Sequence, residues 1–463
     1  ANGDIQCGGV IASSGVSFND GGAHKIMVAY DHEANKIWFG VDGTWGQSGD
    51  PANGTGGQAI PASLHDKYWI PVFRITNSST DFSRVNFGQL PWFYDAPSGF
   101  KTISSNNLAE PVISNKAGEK PEDYFQVVTT VADGANLVSK NIGWQPAMVL
   151  TKNRDQTYSW ELHDIIRGDG KRVKTDDVEV ERTFSNYFTF DSAGFTLGTS
   201  HNCNYQSPDK GIAYCWRGGD TIENNNQGDI PSQVSVNTDA GFSVVRYDGN
   251  SVDNATVGHG LSQTPEMIWL KSLDNSNSWR AYHPYLAGDQ TLYMDLNNGV
   301  ANDGNNIGNV NATTFDVGYL STNTSLNATG YRYIAYCWHS VPGYSAIGQY
   351  NGEDSVSHDG PFVYTGFKPK FVLFKRLNAA GFWGIMDSER GAINPVGSTA
   401  ANAPLHMEDT TTEAAAAGTY DTDFLSNGFK IRSVAGAGSI NVTNGIFMYM
   451  AFAESPFKYS TGR

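Results

Sequence analysis

A short apolar run occurs three times along the chain and ends each time on Trp or Phe. The copies are Gly211–Trp216, Tyr331–Trp338 and Met448–Phe452. In the middle copy, alternate positions are apolar on both sides, with Tyr333, Ala335 and Cys337 on one and Ile334, Tyr336 and Trp338 on the other. An uninterrupted apolar run of this length predicts a strand that is buried on both faces.

Other landmarks recur in step with this run. A Pro precedes an apolar segment that ends on Lys, a Trp follows fourteen positions after the Pro, and a glycine–aromatic pair comes later. The Pro residues are Pro146, Pro265 and Pro369; the Lys residues are Lys152, Lys271 and Lys375; the Trp residues are Trp160, Trp279 and Trp383. The pairs are Gly194–Phe195, Gly318–Tyr319 and Gly428–Phe429. Landmarks at matching spacing in three copies indicate an internal repeat.

The repeat unit is roughly 105–120 residues long, which fits a small β-sandwich domain. We predict module one over 119–236, module two over 237–342 and module three over 343–463. The Asn- and Gly-rich stretch Gly218–Asp239 is predicted to link modules one and two. A further region, 1–118, precedes them.

Composition supports an all-β, multi-domain chain. Gly numbers 51 of 463 residues, aromatic residues make up 12% and charged residues only 17%. The formal net charge is −16 and no basic stripe is visible, so nucleic acid is not an expected partner. No apolar run has the length of a membrane span, and insertion into a membrane is not expected.

Region 1–118 predicts a hairpin, with His24–Asp31 and Lys36–Gly40 joined by a polar turn. Later strands are predicted at Tyr68–Phe73 and Val85–Gln89. The stretches IMVAYDHEANKIWFGVDGTW, GDPANGTGG and VNFGQLPWFYDAPSGFKTISSNNL resemble the later half of a SPRY domain, a concanavalin-like β-sandwich (jelly roll). The resemblance implies that the strands preceding Gly3 in a full SPRY domain are missing, so this sandwich is partial.

The modules resemble repeats in structural proteins of marine bacteriophages. The motifs are NTDAGFSVVRYDG, TVGHGLSQTPEMIWLKS, SWRAYHPYLAG, DGPFVYTGFKPKFVLFKR and MAFAESPFKYSTGR. The resemblance implies a tail fibre-like virion protein, exposed on the particle, that partners other virion proteins and other copies of itself as a homotrimer. Its motifs are packing motifs and carry no catalytic residue.

Cysteine positions do not predict a disulfide. Cys215 and Cys337 occupy one slot of the repeated run, and Ala451 fills that slot in the third copy. A position that accepts Cys or Ala is typical of a small buried apolar site.

Candidate catalytic groups are present but unselected. Polar residues stand four positions after each repeated Trp, at Asp164, His283 and Asp387, and a turn that satisfies backbone groups explains them. His163 and Asp164 are adjacent, so on a strand they face opposite ways. The carboxylates Glu161, Asp164, Glu389 and Asp423 show no spacing that selects a glycosidase pair. We therefore predict no catalytic residue and no cofactor or metal, with calcium possible at Asp303–Asn306.

Aromatic side chains are the better indication of a binding site, since sugar rings stack on aromatic faces. Because Trp160, Trp279 and Trp383 recur in every copy, we predict that they lie in the core. The predicted ligand-binding residues are Trp45, Trp92, Tyr94, Tyr282 and His283.

The hypothesis that follows is a non-enzymatic virion appendage that attaches to host surface glycans or proteins through weak multivalent contacts. Two alternatives stay open. One is a polysaccharide depolymerase of the tailspike kind, and the other is a purely architectural or capsid decoration protein.

Overall fold

The computed structural model describes residues 4–7, 10–13, 24–62, 85–87, 90–104, 107–108, 110–113, 118–353, 358–390, 404–413, 420–433 and 440–459. The chain forms two compact units, Ala1–Ala109 and Glu110–Arg463. The predicted all-β class is confirmed: within these ranges the strands pair antiparallel and the helical segments are short 3₁₀ turns. None of the helical segments described is long and apolar enough to cross a membrane.

The amino-terminal unit consists of short strands. They are β1 (Asp4–Cys7), β2 (Val10–Ser13), β3 (Ile26–Asp31), β4 (Lys36–Val41), β5 (Thr44–Trp45) and β6 (Gln58–Ala59). The predicted hairpin is confirmed as β3 and β4, whose register joins Ile26 to Val41. The strand predicted at Tyr68–Phe73 lies outside the described residues. Val85–Phe87 is not a strand, because the Asn86 side chain bonds to the backbone of Leu90 and Pro91 and fixes a turn.

Module one contains a four-stranded sheet and a three-stranded sheet. Its strands are β7 (Phe125–Val131), β8 (Val138–Asn141), β9 (Met148–Asn153), β10 (Glu161–Asp164), β11 (Lys171–Arg172), β12 (Arg182–Thr183), β13 (Phe188–Asp191), β14 (Gly194–Leu197) and β15 (Lys210–Trp216). The orders are β10-β9-β15-β7 and β13-β14-β8. Strands β11 and β12 pair separately, and the 3₁₀ turn Pro121–Asp123 precedes β7.

Module two repeats this plan with a larger sheet. Its strands are β16 (Glu223–Asn225), β17 (Ser232–Asn237), β18 (Phe242–Asp248), β19 (Ala255–Gly258), β20 (Met267–Ser272), β21 (Arg280–Tyr282), β22 (Gln290–Thr291), β23 (Ala301–Asn302), β24 (Ile307–Gly308), β25 (Thr314–Val317) and β26 (Arg332–Trp338). The orders are β16-β17-β18-β26-β20-β21 and β19-β25-β24. The prediction of a linker over Gly218–Asp239 is wrong, because β16 and β17 lie in it and extend this sheet. Module two therefore includes strands that precede its predicted start at 237.

Module three follows the same plan. Its strands are β27 (Ser345–Asn351), β28 (Phe362–Tyr364), β29 (Phe367–Arg376), β30 (Trp383–Asp387), β31 (Leu405–His406), β32 (Thr422–Leu425), β33 (Gly428–Ile431) and β34 (Ile446–Pro456). The orders are β27-β34-β29-β30-β31 and β28-β33-β32. A large sheet facing a small sheet is thus common to all three modules.

The repeated apolar run forms the interior strand of each large sheet, as β15, β26 and β34. The prediction that it is buried on both faces is confirmed. In module two, Tyr333, Ala335 and Cys337 face the core between that module's own sheets, while Ile334, Tyr336 and Trp338 face a second core. Cys215, Cys337 and Ala451 all lie on the first face, and both cysteines are free thiols, as the shared slot predicts.

The second core is shared by all three modules. The aromatic residues at the ends of the three runs, Trp216, Trp338 and Phe452, lie in this core. Trp216 lies 6.1 Å from Trp338 and 5.7 Å from Phe452 between ring centroids, and Phe125 stacks on Phe452 at 4.6 Å. One continuous apolar cluster therefore joins modules that sequence analysis treats as separate sandwiches.

The repeated Trp residues close the modules into a ring. Trp160, Trp279 and Trp383 are fully buried, which confirms that they belong to the core. Their indole N–H groups donate across the module boundaries: Trp160 to the His406 carbonyl at 2.7 Å, Trp279 to the Lys174 carbonyl at 2.6 Å and Trp383 to the Tyr293 carbonyl at 2.9 Å. Module one thus bonds to three, two to one and three to two.

The repeated Lys residues strengthen the same three boundaries. Lys152 donates to the Thr410 carbonyl at 3.1 Å, Lys271 to the Val178 carbonyl at 3.2 Å and Lys375 to the Asn297 carbonyl at 3.0 Å. Burial lowers the pKa of each ammonium to about 8. We name the boundaries seam one–two, seam three–one and seam two–three after the modules that meet there.

One sequence landmark is misplaced by the prediction. Strands β14 and β33 begin with Gly194–Phe195 and Gly428–Phe429, and their counterpart β25 begins with Thr314–Phe315. All three Phe side chains are fully buried. The pair Gly318–Tyr319 follows β25 and is not equivalent, because module two has Thr where the other modules have Gly.

Candidate functional site

The amino-terminal unit presents three consecutive aromatic side chains to solvent. Trp92, Phe93 and Tyr94 are 48%, 77% and 39% exposed, and we call them the amino-terminal aromatic group. The sequence prediction includes Trp92 and Tyr94 but omits Phe93, the most exposed of the three. A run of three aromatic residues just after a Pro is the signal that identifies it.

Tyr94 packs against the turn that leads into Trp45. Gly43 has a positive φ of 88°, and a Cβ placed on it would lie 2.9 Å from Cε1 of Tyr94. Only glycine fits at this turn, because a side chain would meet the ring. Trp45 follows on β5 and is half-buried. The structure therefore brings Tyr94 to the start of the strand that carries Trp45.

Asp42 holds this turn in place. Its carboxylate lies 2.7 Å from Nδ1 of His24 and accepts the Lys25 backbone N–H at 2.8 Å. These bonds, that of His24 first, lower the pKa of Asp42, so the carboxylate is ionised. The Lys25 ammonium lies 4.8 Å from the centroid of the Phe93 ring. Aromatic faces beside charged groups suit a ligand with apolar C–H faces and polar edges, such as a sugar.

Tyr282 and His283 are placed differently from this group. The prediction has them near an exposed edge, but Tyr282 is half-buried against the core of module two and His283 is buried. His283 accepts the Tyr285 backbone N–H at 3.2 Å and bonds to the Gly348 backbone of module three. Burial lowers its pKa to about 4. It lies in seam two–three, where a surface ligand does not reach it.

Asp164 and Asp387 also lie at seams. Each accepts backbone N–H groups of its own turn, as predicted. Each also bonds to a tyrosine of another module: Asp164 accepts from Tyr336 at 2.7 Å and Asp387 from Tyr214 at 2.7 Å. An Arg three positions later, Arg167 or Arg390, pairs with the same carboxylate. These carboxylates are therefore occupied inside the ring.

A buried cluster of Glu161, His163 and His201 lies within module one. The three residues have no exposed surface, and their donor atoms lie within 4.8 Å of one another. Nε2 of His201 is 3.2 Å from Oε2 of Glu161 and 3.2 Å from Nε2 of His163. His163 faces this cluster while Asp164 faces module two, as the alternation of a strand predicts.

The other atoms of the cluster are fixed by named donors and acceptors. Oε1 of Glu161 accepts from Tyr187 at 2.5 Å, Arg172 at 2.7 Å and Asn202 at 3.0 Å. Nδ1 of His163 lies 2.8 Å from the Lys171 carbonyl, so it carries the proton and leaves Nε2 as an acceptor. Burial raises the pKa of Glu161 to about 7, against the opposing effect of Arg172.

The protonation of His201 decides what this cluster can hold. Its Nδ1 accepts the Cys203 backbone N–H at 3.1 Å. Two other histidines do the same with the N–H two residues ahead, His259 at 3.1 Å and His283 at 3.2 Å. His259 then donates through Nε2 to the Asn311 carbonyl at 3.1 Å. A neutral His201 must likewise carry its proton on Nε2, which faces Glu161 and His163.

A metal ion does not fit that donor set. His163 and Oε2 of Glu161 offer lone pairs, but Nε2 of His201 carries a proton. If Nε2 bound a metal, the proton of the neutral imidazole would move to Nδ1, where it would face the N–H of Cys203. Oε2 of Glu161 is buried and makes no hydrogen bond in the structure, and Nε2 of His201 at 3.2 Å is the nitrogen beside it. The sequence pattern brings out Glu161 and His163 but not His201, because His201 lies on a loop 38 positions after His163.

The remaining candidate groups are also engaged. The Asp303 carboxylate, proposed for calcium, accepts from Arg280 at 2.6 Å and Tyr293 at 2.7 Å. The Arg280 guanidinium occupies the oxygen that a cation would need. Glu389 pairs with Lys370 and Asp423 with Arg432. The carboxylates Glu161, Asp164, Glu389 and Asp423 thus each pair with a different basic residue, and they do not form one site.

Comparison with known proteins agrees with the extent of the ring. No curated protein matches the chain. A family model described as Domain of unknown function (DUF7483) matches residues 120–456, which span all three modules and little else. The match covers well over half of the sequence, and the chain belongs to this DUF7483 family.

Proposed function

We propose that the chain is a tail fibre-like component of a phage virion and that it attaches the particle to glycans or proteins of the host surface. The observation that carries this proposal is the amino-terminal aromatic group, three exposed rings beside a turn that Gly43 and Asp42 hold rigid. The resemblance of the modules to phage structural proteins supplies the context.

The contrast between buried side chains that hold the modules together and exposed aromatic side chains supports attachment rather than catalysis. The repeated aromatic residues pack in the shared core. The buried carboxylates Asp164 and Asp387 pair with Arg167 and Arg390 inside the ring. The exposed faces of Trp92, Phe93 and Tyr94 remain available for a ligand.

We further propose that three copies of the chain form a homotrimer and that this trimer assembles with other virion proteins. Three chains would present three aromatic groups, and linked weak sites raise the overall avidity without any new contact. This arrangement suits attachment through contacts that are individually weak.

Binding of the full chain to host cells tests the proposal, with Trp92→Ala and Tyr94→Ala as variants. Each substitution removes a stacking face, and we expect affinity to fall about tenfold, which corresponds to about 1.4 kcal/mol. Leu137→Ala is the matched control, since Leu137 is an exposed apolar residue of module one. Thermal melting shows whether each variant keeps its fold.

Unchanged binding by folded Trp92 and Tyr94 variants would overturn the assignment of this site. Release of new reducing ends from host polysaccharide would favour the depolymerase instead. Firm incorporation into particles with no binding to cells would favour an architectural role.

A further inference from the structure

The large sheet of module one ends at strand β7, and this edge carries backbone groups without a partner. Directly after β7, Ala132 donates its N–H to the Asp209 carbonyl at 2.8 Å. Alternate residues of an antiparallel strand bond to the same neighbour, so the even-numbered residues of β7 bond to β15. The N–H and C=O groups of Val127 and Thr129 therefore point away from β15, and within the described part of the chain no group bonds to them.

The equivalent edge of module two is covered by a segment of the same chain. Register against the interior strands makes Phe242 the counterpart of Phe125, so β18 corresponds to β7. Strand β17 pairs antiparallel with β18. Just before β17, Ile230 donates its N–H to the carbonyl of Thr256 in the small sheet at 3.0 Å. Residues 229–237 thus close both sheets on this side, and we call them the covering segment of module two.

The covering segment also completes the core of module two. Its Val234 is buried in one apolar cluster with Val245 and Ala255, which are 0% and 2% exposed. By register, the counterparts of Val245 and Ala255 in module one are Val128 and Val138. Both are only partly buried at the margin of the module-one core. One side of that core is therefore uncovered where module two has its covering segment.

Module three closes the corresponding position with its own residues. Its strand β27 has Gly348 where β7 has Val128. A Cβ on Gly348 would lie 2.9 Å from the Tyr449 hydroxyl, so the Tyr449 side chain fills this space. The N–H of Ile347 on the same edge donates to the Ser340 hydroxyl at 2.9 Å. Modules two and three thus cover this edge in different ways, and module one leaves it open.

Strand β7 also lacks the features that keep edge strands from pairing. Its sequence FQVVTTV contains no charged residue, no proline and no glycine. Thr129 is exposed and Val131 is 59% exposed. Natural edge strands are protected by charges, proline or bulges, because an unprotected edge is a template for another strand. The composition of β7 therefore favours pairing with a further strand.

We propose that module one binds an extended segment of another protein as a strand antiparallel to β7, with apolar side chains of that segment packed on Val128 and Val138. The occupant is a strand because another backbone offers donors and acceptors in the alternation that the edge presents. The covering segment of module two shows this arrangement within the chain itself.

The size of the edge favours a flexible segment over a second copy of the ring. A stable interface between folded proteins needs roughly 800 Å² on each partner. Strand β7 has seven residues and is about 24 Å long, which matches one added strand. This inference goes beyond the proposed attachment function and does not rest on it.

The probe is a synthetic peptide with the sequence of residues 229–238, DIPSQVSVNT, titrated into the full chain by calorimetry. Thr129→Pro removes an N–H from the open edge and places a ring there, so we expect binding to weaken by about tenfold or more. Gln349→Pro is the matched control, because Gln349 is the exposed counterpart of Thr129 on β27, and it should bind the peptide as the wild type does. Thermal melting shows whether each variant keeps its fold.

A second peptide tests the apolar contact. With Asp in place of Val234, the peptide would place a charge against Val128, and we expect it to bind the wild-type chain about tenfold more weakly or worse. Hydrogen–deuterium exchange of the wild-type chain locates the site without any substitution in the chain. The original peptide should slow amide exchange over β7 and leave exchange over β27 unchanged.

The inference fails if the peptide does not bind, if a folded Thr129→Pro variant binds it as tightly as the wild type, or if exchange over β7 does not slow. Self-association of the full chain that Thr129→Pro abolishes would show that a second copy occupies the edge, and would also overturn the inference. The peptide assay does not involve the amino-terminal aromatic group, so its failure is distinct from failure of the proposed function.

Discussion

Two of the three seams are built around a buried charge and the third is not. At seam one–two, Tyr336 and Arg167 both bond to Asp164, and at seam three–one Tyr214 and Arg390 bond to Asp387. At seam two–three the equivalent positions are Met450, Leu286 and His283. His283 reaches the Gly348 backbone instead.

The difference shows which contacts the ring requires. The Trp and Lys bonds to carbonyl oxygens occur at all three seams, so they define the shared geometry. Two seams also contain a Tyr–Asp–Arg group, in which the charged Asp and Arg of one module hold the Tyr of the next. A buried ion pair adds little net stability, but removal of one partner leaves a costly unpaired charge. The seams should therefore differ most when a charge is removed.

The largest effect is expected for Asp164→Ala. Removal of this carboxylate leaves the Arg167 guanidinium buried at seam one–two, where Glu181 at 3.8 Å is the ion partner that remains among the described residues. We expect the free energy of unfolding to fall by about 3–5 kcal/mol, measured by denaturant titration. Asp387→Ala should match it at seam three–one. If Asp164→Ala lowered the free energy of unfolding no more than His283→Ala does at seam two–three, the contrast between charged and uncharged seams would be contradicted.

Acid should weaken the seam that lacks the charge. The pKa of His283 is lowered to about 4, whereas in the unfolded chain it is near 6.5. The unfolded state binds more protons between these values, so the histidine's stabilising effect is complete above about pH 6.5 and decreases as pH falls towards 4. Between pH 6.5 and 5 the loss reaches up to about 2 kcal/mol.

His283→Gln isolates this contribution, because Gln does not titrate. We expect the stability of the variant to fall less than that of the wild type between pH 6.5 and 5, as followed by thermal melting. His259, with a pKa of about 4, and Glu161, raised to about 7, titrate in both proteins and cancel from the difference. Parallel pH profiles for the two proteins would show that His283 does not sense acid.

A smaller effect is expected for Tyr336→Phe, which removes one hydrogen bond to Asp164 and keeps the ring. The expected loss is about 1 kcal/mol. Because both residues act on one charge, the double variant with Asp164→Ala should lose less than the sum of the single losses. Tyr247→Phe is the control, since its hydroxyl bonds to Leu326 inside module two. Additive losses for the Tyr336 pair would exclude the coupling.

Much of the fold follows from short-range pattern. The uninterrupted apolar run predicts a strand buried on both faces. The recurrence of Trp160, Trp279 and Trp383 predicts their burial. The pattern does not show what the second face contacts, because a residue packed on another module looks the same in sequence as one packed in its own sandwich. The pattern therefore does not predict the ring. The prediction of a linker fails because the polar stretch holds the edge strand β16 and its neighbour β17.

The candidate sites divide in a similar way. Trp92 and Tyr94 could be selected because they stand outside the repeat. Tyr282 and His283 were selected for the same residue types, but their burial depends on the seam, which no local pattern encodes. Asn204, Asn327 and Asn441 are not among the predicted residues, although each is buried and anchors a loop of its module, because the backbone groups that they bond to come next to them only in the fold.

The central claim is that the three modules form one cooperative ring around a shared core. Calorimetry of the full chain with and without Asp164→Ala tests it most directly. The ring predicts one transition for all three modules, and the substitution should move that whole transition to lower temperature, including the heat absorbed by module three. A module-three transition that stays at the wild-type temperature while the others shift would show that the modules unfold independently and would contradict the account.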